Sequence, residues 1–225
     1  MLEETSEESR DQHVGYRVTV GRNPEDIRSA QQLRHSIFAG EFGAITPGPV
    51  GLDADGFDEA SDHVIVWFSS TPDAAREAVA TYRLLPPGSW SFGLYSETEF
   101  DLTAVGGLLP FAVEGGRSCV RLDHRNGTTM AMLWSAIAHY MMRGGYRYLI
   151  GCTSIPLVDG GELASGVWHE LQSRHLDPVR RCTPHRPWQG GSTPPALVRF
   201  PALLKGYLRL GATVLGSPAV DPLFN

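Results

Sequence analysis

The stretch from Val113 to Cys152 constrains the fold more than any other part of the chain. Val113 to Leu122 reads as a strand with Gly115 and Gly116 inside it. Asn126 then opens an apolar stripe at Met130, Leu133, Trp134, Ile137 and Met141, which Gly144 and Gly145 stop, and Tyr146 to Cys152 returns to strand character. Asparagine caps a helix by accepting a first-turn N–H, and glycine ends one by turning left-handed. Strand, helix and strand therefore follow in order. Paired glycines within a strand predict a bulge, or a close approach by a ligand or another backbone.

The flanking sequence extends this pattern. Tyr16 to Val20 alternates as a half-buried strand does. Asn23 and Pro24 open a helix, with Ile27, Ala30, Leu33 and Ile37 at helical spacing, that is expected to reach Glu41. Gly43 to Ser61 has no periodicity and is expected to be a long loop, a kind of segment that often carries function. Asp62 to Phe68 and Ala78 to Leu85 read as a hairpin, and Pro86 to Pro110 as mostly loop with a short helix near Asp101 to Val105. Further helices are expected at Glu162 to His175 and Ala202 to Leu210, with a Pro-rich segment between them up to Pro195 and a last strand at Ala212 to Leu215. The sum is an α/β fold with a mixed sheet.

With 225 residues and 42% apolar content, the chain suits one core, read as a single domain over residues 15–225 after a disordered acidic tail at 1–14. No apolar run approaches the roughly twenty residues of a membrane-spanning helix, and the acidic start lacks the order of a secretory signal, so a cytoplasmic protein is expected. Three widely spaced cysteines fit a reducing compartment. A net charge of -6 argues against nucleic acid as a partner. The segment from Ser165 to Gly211 is nevertheless basic, as a solvated face or as a dock for an acidic partner or phosphate.

Several constellations fail on spacing. His169-Glu170 begins like a zinc-protease helix, but Ser173 stands where the second histidine is needed. Cys182 and His185 have no second ligand pair, so no metal is expected. Dinucleotide and nucleotide-phosphate loops are absent, and Ser118 lacks the glycine of a nucleophile elbow. Cys119 with His124 as base is weighed against an inert core thiol, the commoner role for a cysteine in an apolar strand.

Acyl transfer from a thioester to an amine needs a placed neutral amine, a proton acceptor and donors for the oxyanion. Glu114 and Arg117 stand three apart on the glycine-interrupted strand, as site residues or as a surface ion pair. The run Arg125, Asn126, Gly127, Thr128 and Thr129 opens the helix, where free N–H groups suit the phosphate of a pantetheine arm, or Asn126 serves merely as a cap.

The order of Leu33-Arg34-His35-x-Ile37-Phe38, Phe57-Asp58-Glu59-Ala60-x-Asp62-His63, Thr81-Tyr82-Arg83-Leu84-Leu85 and Glu114-x-Gly116-Arg117-Ser118-Cys119-Val120 resembles the ornithine N-acyltransferases. The likeness continues through Arg125-Asn126-Gly127, Tyr146-Arg147-Tyr148-Leu149, Leu203 to Ala212 and Asp221 to Asn225. That family belongs to the GNAT superfamily and is related to acyl-homoserine-lactone synthases. The resemblance implies a mixed, mostly antiparallel twisted sheet flanked by helices. It implies transfer of a (3-hydroxy)fatty acyl group to the α-amine of ornithine or a similar amino acid, the first step of ornithine-lipid synthesis. It implies an acyl carrier protein thioester or acyl-CoA as donor and no bound cofactor, and peripheral association with the inner face of the membrane is a further expectation. Glu114 is implied as general base or amine anchor, with Arg117 holding it or the substrate carboxylate. Arg34, Phe38, Asp53, Asp58, His63, Arg83 and Ser118 are implied for the acceptor and donor pocket. Arg180, Arg181, Arg186, Lys205 and Arg209 form the candidate dock for the acidic carrier protein. A signal synthase, another N-acyl amino acid synthase, an acetyl-CoA-dependent N-acetyltransferase and a non-catalytic membrane-active protein are the competing readings.

Overall fold

The computed structural model describes residues 14–89, 91, 93–190 and 198–223. Most of the acidic tail (1–13), the end of the Pro-rich stretch (191–197) and Phe224 and Asn225 of the C-terminal motif lie outside the described residues. Strand β1 (Gly15–Gly21) leads into helix α1 (Pro24–Phe38), whose Asn23 cap accepts the Glu25 N–H at 2.9 Å. Strands β2 (Asp62–Ser69) and β3 (Glu77–Leu85) follow the long loop. After the two-residue strand β4 (Phe100–Asp101) come β5 (Ala112–Val120), α2 (Gly127–Gly144), β6 (Tyr148–Ile150), α3 (Glu162–Arg174), the short β7 (Thr183–Pro184) and α4 (Ala202–Arg209).

Among the described residues the main sheet runs β1-β2-β3-β5-β6, and β4 pairs with β7 in a small second ladder. The first three pairings of the main sheet are antiparallel and β5 pairs with β6 in parallel, so the sheet is mixed and mostly antiparallel. Strand β2 is covered on both faces. Val64 and Val66 meet Leu133 and Ile137 of α2, while Ile65 and Trp67 pack with Ala30 of α1. This double burial explains why β2 reads as a near-continuous apolar run.

Three expectations need correction. Helix α1 ends at Phe38 rather than near Glu41, because the left-handed Gly43 (φ 66°) reverses the chain and Ala44 N–H returns to Phe38 O. Strand β6 spans Tyr148–Ile150 only, and Val214 makes a single bridge to Leu176 in place of a last strand at Ala212 to Leu215. The short helix expected near Asp101 to Val105 is present as a 3-10 helix, Thr103–Val105, just after the end of β4.

Candidate active site

The irregularity foreseen at the glycine pair resolves into two separate features. The bulge lies just beyond them: Thr81 pairs with Cys119 and Arg83 with Gly116, so Arg117 and Ser118 together face Tyr82. Arg117 takes a φ of 50°, and among the described residues no other non-glycine has a positive φ. Such a conformation costs about 1–3 kcal/mol and persists where the surroundings over-determine it. The close approach is at Gly115, where a Cβ would stand 2.6 Å from the Tyr82 ring, and at Gly151, where one would stand 2.2 Å from Gly115 O.

The long loop supplies what holds Arg117. Its guanidinium lies 3.3 Å from Asp55 Oδ2 and 3.7 Å from Asp53 Oδ2, with its carbon 5.5 Å above the Tyr95 ring. Asp55 also accepts from Arg83 at 2.5 Å, and Arg83 reaches Asp58 at 2.9 Å. Arg34 bonds Asp53 at 2.9 Å and Asp58 at 2.7 Å, and Gln31 Nε2 donates to Asp58 at 2.8 Å. His63 faces the Asp58 carbonyl through Nε2 at 3.1 Å, and its Nδ1 is buried without a hydrogen-bond partner. Arg34, Asp53, Asp58, His63, Arg83 and Arg117 are thus brought together, as one buried ion network joining loop, α1, β2, β3 and β5.

The carboxylates in that network are pushed in opposite directions. Burial raises Asp53, against the pull of Arg117 and Arg34. Burial also opposes charge on Asp58, but the Arg34 and Arg83 guanidiniums with the Gln31 hydrogen bond outweigh it and hold Asp58 well below the usual carboxylate range. Burial lowers His63.

Glu114 sits elsewhere. It is 5% exposed, so it is no surface ion pair, and its oxygens accept Tyr95 N–H at 2.8 Å, Ser96 N–H at 2.7 Å and Ser96 Oγ–H at 2.5 Å. These donors belong to a 3-10 turn, Tyr95–Thr98, in the segment that had no clear sequence pattern. The expected Glu114–Arg117 contact is replaced: Arg117 goes to the loop acids, and Glu114 clasps the turn.

Strands β5 and β6 pair only from Ala112↔Tyr148 to Glu114↔Ile150 and then part. From that split a cavity of about 490 Å³ opens, lined by Gly115, Ile150, Gly151 and Cys152 at the split and by Ser96 and Glu99 beside it. Its walls are mainly apolar, with Leu102, Val105, Val167, Leu171 and Leu204 among them, and residues Ala212 to Asp221 close one side. Tyr82 and Tyr207 also line it, their hydroxyls 2.6 Å apart, and burial pushes Tyr207 up to about 12.

The remaining sequence candidates are dispersed. Phe38 packs with Leu33, Ile37 and Cys119 in the α1 core, away from the cavity, and Ser118 sits in the bulge. Asn126 caps α2 by accepting Thr129 N–H at 3.0 Å and donates to Tyr16 Oη at 3.2 Å. Gly127 and Thr128 are exposed, Thr129 is fully buried, and Arg125 is tied to Val120 O at 2.9 Å and to Glu41 at 2.5 Å. Arg180, Arg181, Arg186, Lys205 and Arg209 are all exposed, and Arg180 also lines the cavity. Cys119 is buried and burial pushes its thiol up to about 12, which makes it an inert core cysteine.

Sequence reasoning missed Asp55, Tyr95, Ser96 and Glu99. For Asp55 a signal existed in the spacing Asp53-x-Asp55-x-x-Asp58; for the other three there was none, because only the fold carries that turn onto β5.

Residues 33–135 match the family model described as an acetyltransferase (GNAT) domain. The chain is 33% identical to the L-ornithine N(alpha)-acyltransferase of Rhodobacter capsulatus over 229 residues, covering 94% of this chain and 87% of that protein. It is 31% identical to the protein of the same description from Agrobacterium fabrum, covering 92% and 76%. A solved CoA-dependent acyl-homoserine lactone synthase, in its structure with MTA, aligns over 92% of this chain and 96% of that one, at 19% identity and a TM-score of 0.47.

Proposed function

The chain belongs to the L-ornithine N(alpha)-acyltransferase family and is a GNAT-type N-acyltransferase, and from that premise we propose that it joins a long acyl chain to the α-amine of ornithine at the split between β5 and β6. The observation that carries this reading is the mainly apolar cavity opening at Gly115 and Gly151, with the Glu114–Ser96 pair at its edge. An acyl chain fills the apolar part, which favours burial by about 0.8 kcal/mol per methylene. The thioester carbonyl then lies at the split, where the edge of β5 turned away from β3 has no strand partner beyond Glu114 among the described residues. Backbone N–H groups directed to that edge would suit the developing oxyanion.

For the acceptor, the free α-amine has a pKa near 8, so a weak base suffices, and Glu114 is the proton acceptor in this reading. Glu99 and Asp221 both line the cavity, and burial and Asp221 raise Glu99. Two carboxylates there suit the distal ammonium of ornithine. In this reading the network around Arg117 positions the bulge instead of touching substrate.

Acyl carrier protein is the proposed donor. The exposed Arg180, Arg181, Arg186, Lys205 and Arg209 complement an acidic carrier, and the exposed Gly127 and Thr128 at the α2 N-terminus take the arm's phosphate, Thr129 being buried with its N–H given to Asn126. No helix of the described residues is long and apolar enough to cross a membrane. An acylated amino acid is itself amphipathic, so peripheral contact with a bilayer is proposed for product release.

The test is product analysis by mass spectrometry, with the purified protein, a mixture of amino acids, and long-chain acyl carrier protein, long-chain acyl-CoA or acetyl-CoA as donor. The expected product is α-N-acylornithine from the carrier protein. A lactone, a different amino acid in the product or a preference for acetyl-CoA would reject the reading in favour of the corresponding alternative.

A further inference from the structure

We propose that Ser96 is a catalytic residue that passes the proton between the acceptor amine and Glu114. The inference rests on the reading that amine acylation occurs at the β5–β6 split, and it concerns how the proton reaches a carboxylate the cavity does not touch.

Glu114 is buried, with both oxygens covered by the Tyr95–Thr98 turn, and it is not among the residues that line the cavity. Ser96 is, although it too is only 5% exposed. A proton acceptor must lie within hydrogen-bond reach of the proton it takes. Between the cavity and Glu114 that reach is supplied by the Ser96 hydroxyl, whose Oγ stands 2.5 Å from Glu114 Oε1.

The capacity of the hydroxyl fits the task. A serine Oγ carries one proton and two lone pairs, and an ionised carboxylate only accepts. The Ser96 proton is therefore directed at Glu114. One lone pair takes the Cys152 S–H at 3.5 Å, and burial raises the Cys152 thiol, which keeps it a donor. The second lone pair remains for a donor in the cavity, and the N–H of an acceptor amine is such a donor.

The steps balance without an added reagent. The amine nitrogen attacks the thioester carbonyl carbon, a C–N bond forms, and the carbonyl π pair moves to oxygen. An N–H proton passes to Ser96 Oγ as the serine's own proton passes to Glu114 Oε1. On collapse the C–S bond breaks with its electron pair on sulfur, and the proton returns from Glu114 through Ser96 to the leaving thiolate. One amine and one thioester give one amide and one thiol.

The test uses the full chain with L-ornithine and a long-chain acyl carrier protein thioester, comparing the native protein with Ser96→Ala, Ser96→Thr, Glu114→Gln and the Ala/Gln double variant. Ser96→Ala keeps the backbone N–H that holds Glu114, so the variant should stay folded, with its melting temperature lowered only by the lost hydroxyl bond. Its kcat should fall about 10²- to 10⁴-fold with the KM for ornithine little changed. The double variant should be no slower than the worse single one, because the two groups act as a unit. Ser96→Thr, which keeps a hydroxyl, should recover most of the rate. Native kcat in Ser96→Ala beside a slow Glu114→Gln overturns the role of Ser96 alone, as does a Thr variant as slow as the Ala variant. Absence of amide from the native protein overturns the acylation reading, and the role of Ser96 with it.

Discussion

Arg117 in the β5 bulge lies 3.3 Å from Asp55 in the long loop, and the same carboxylate accepts from Arg83 at 2.5 Å. One loop side chain thus fastens two strands of the sheet at the point where the backbone of Arg117 is left-handed. The loop is a brace, and the first prediction follows from it.

Asp55→Ala leaves Arg83 with Asp58 alone and Arg117 with Asp53 at 3.7 Å. Asp55 is only partly buried and each cation keeps another carboxylate, so the loss is that of its charge-assisted hydrogen bonds, about 1–3 kcal/mol. The urea midpoint should fall accordingly with an unchanged slope, and kcat should fall with it as the bulge loosens. A midpoint within about 0.5 kcal/mol of native would show that the brace is dispensable.

Glu114→Gln should lower kcat about 10²- to 10⁴-fold if Glu114 is the base. It also turns one acceptor oxygen into a donor facing the Tyr95–Ser96 turn, at a cost of about 1–3 kcal/mol. Steady-state rates and thermal melts on the same preparation separate the two effects. An unaltered rate across pH would return Glu114 to holding the turn.

Acid should weaken the fold in two stages. His63 is lowered in the folded chain, so below its unfolded value of about 6.5 the unfolded state takes the proton first and stability falls with pH, by at most about 1.4 kcal/mol per unit. Asp58 is also lowered; its contribution is full above about 3.9 and is lost as pH drops from there toward its folded value. Asp53, raised by burial, works the other way above about 3.9. Chemical denaturation at stepped pH should show the first slope flattened in His63→Gln and the second in Asp58→Asn.

Alanine at the two glycines of the split should differ in severity. At Gly115 the new methyl meets the Tyr82 ring at 2.6 Å, a side chain that can shift at the expense of its bond to Tyr207. At Gly151 it meets the backbone carbonyl of Gly115 at 2.2 Å, so the strands themselves must move. Overpacking costs about 1–3 kcal/mol or more. Gly151→Ala should give the lower melting temperature and the lower activity; equal effects would argue against a fixed split.

Reversing Arg180 and Arg181 to Glu should weaken acylation from carrier protein at least tenfold while sparing a short pantetheine thioester. Arg180 is the informative member because it is exposed, reaches Asp177 only at 3.5 Å and borders the cavity. Equal loss with both donors would place the effect in the cavity instead of at a docking surface.

Local pattern carried most of the architecture. Asn23 and Asn126 cap the helices where their spacing predicts, Gly145 ends α2 in the left-handed region, and β1, β2 and β3 fall within a residue or so of their alternation. Caps and periodicity are short-range physics, readable from neighbours along the chain. The weak spots were β6 and Ala212 to Leu215, where strand-like residues line a cavity and pair over less of their length than expected.

The site was legible by residue type and not by partner. The sequence alone determined that Arg34, Asp53, Asp58, His63, Arg83, Glu114 and Arg117 are present in the order of the family, and it placed an irregularity in β5, although the bulge itself falls just past the glycines, at Arg117 and Ser118. Only the tertiary structure decided that Arg117 answers to Asp55 across 62 residues and that Glu114 answers to Ser96 across 18. The reason is physical. A cap or a helical stripe is settled within one turn of chain. The partner of a buried charge is settled by which distant segment the packed sheet carries to it, and the cost of leaving that charge alone selects the fold in which it is met.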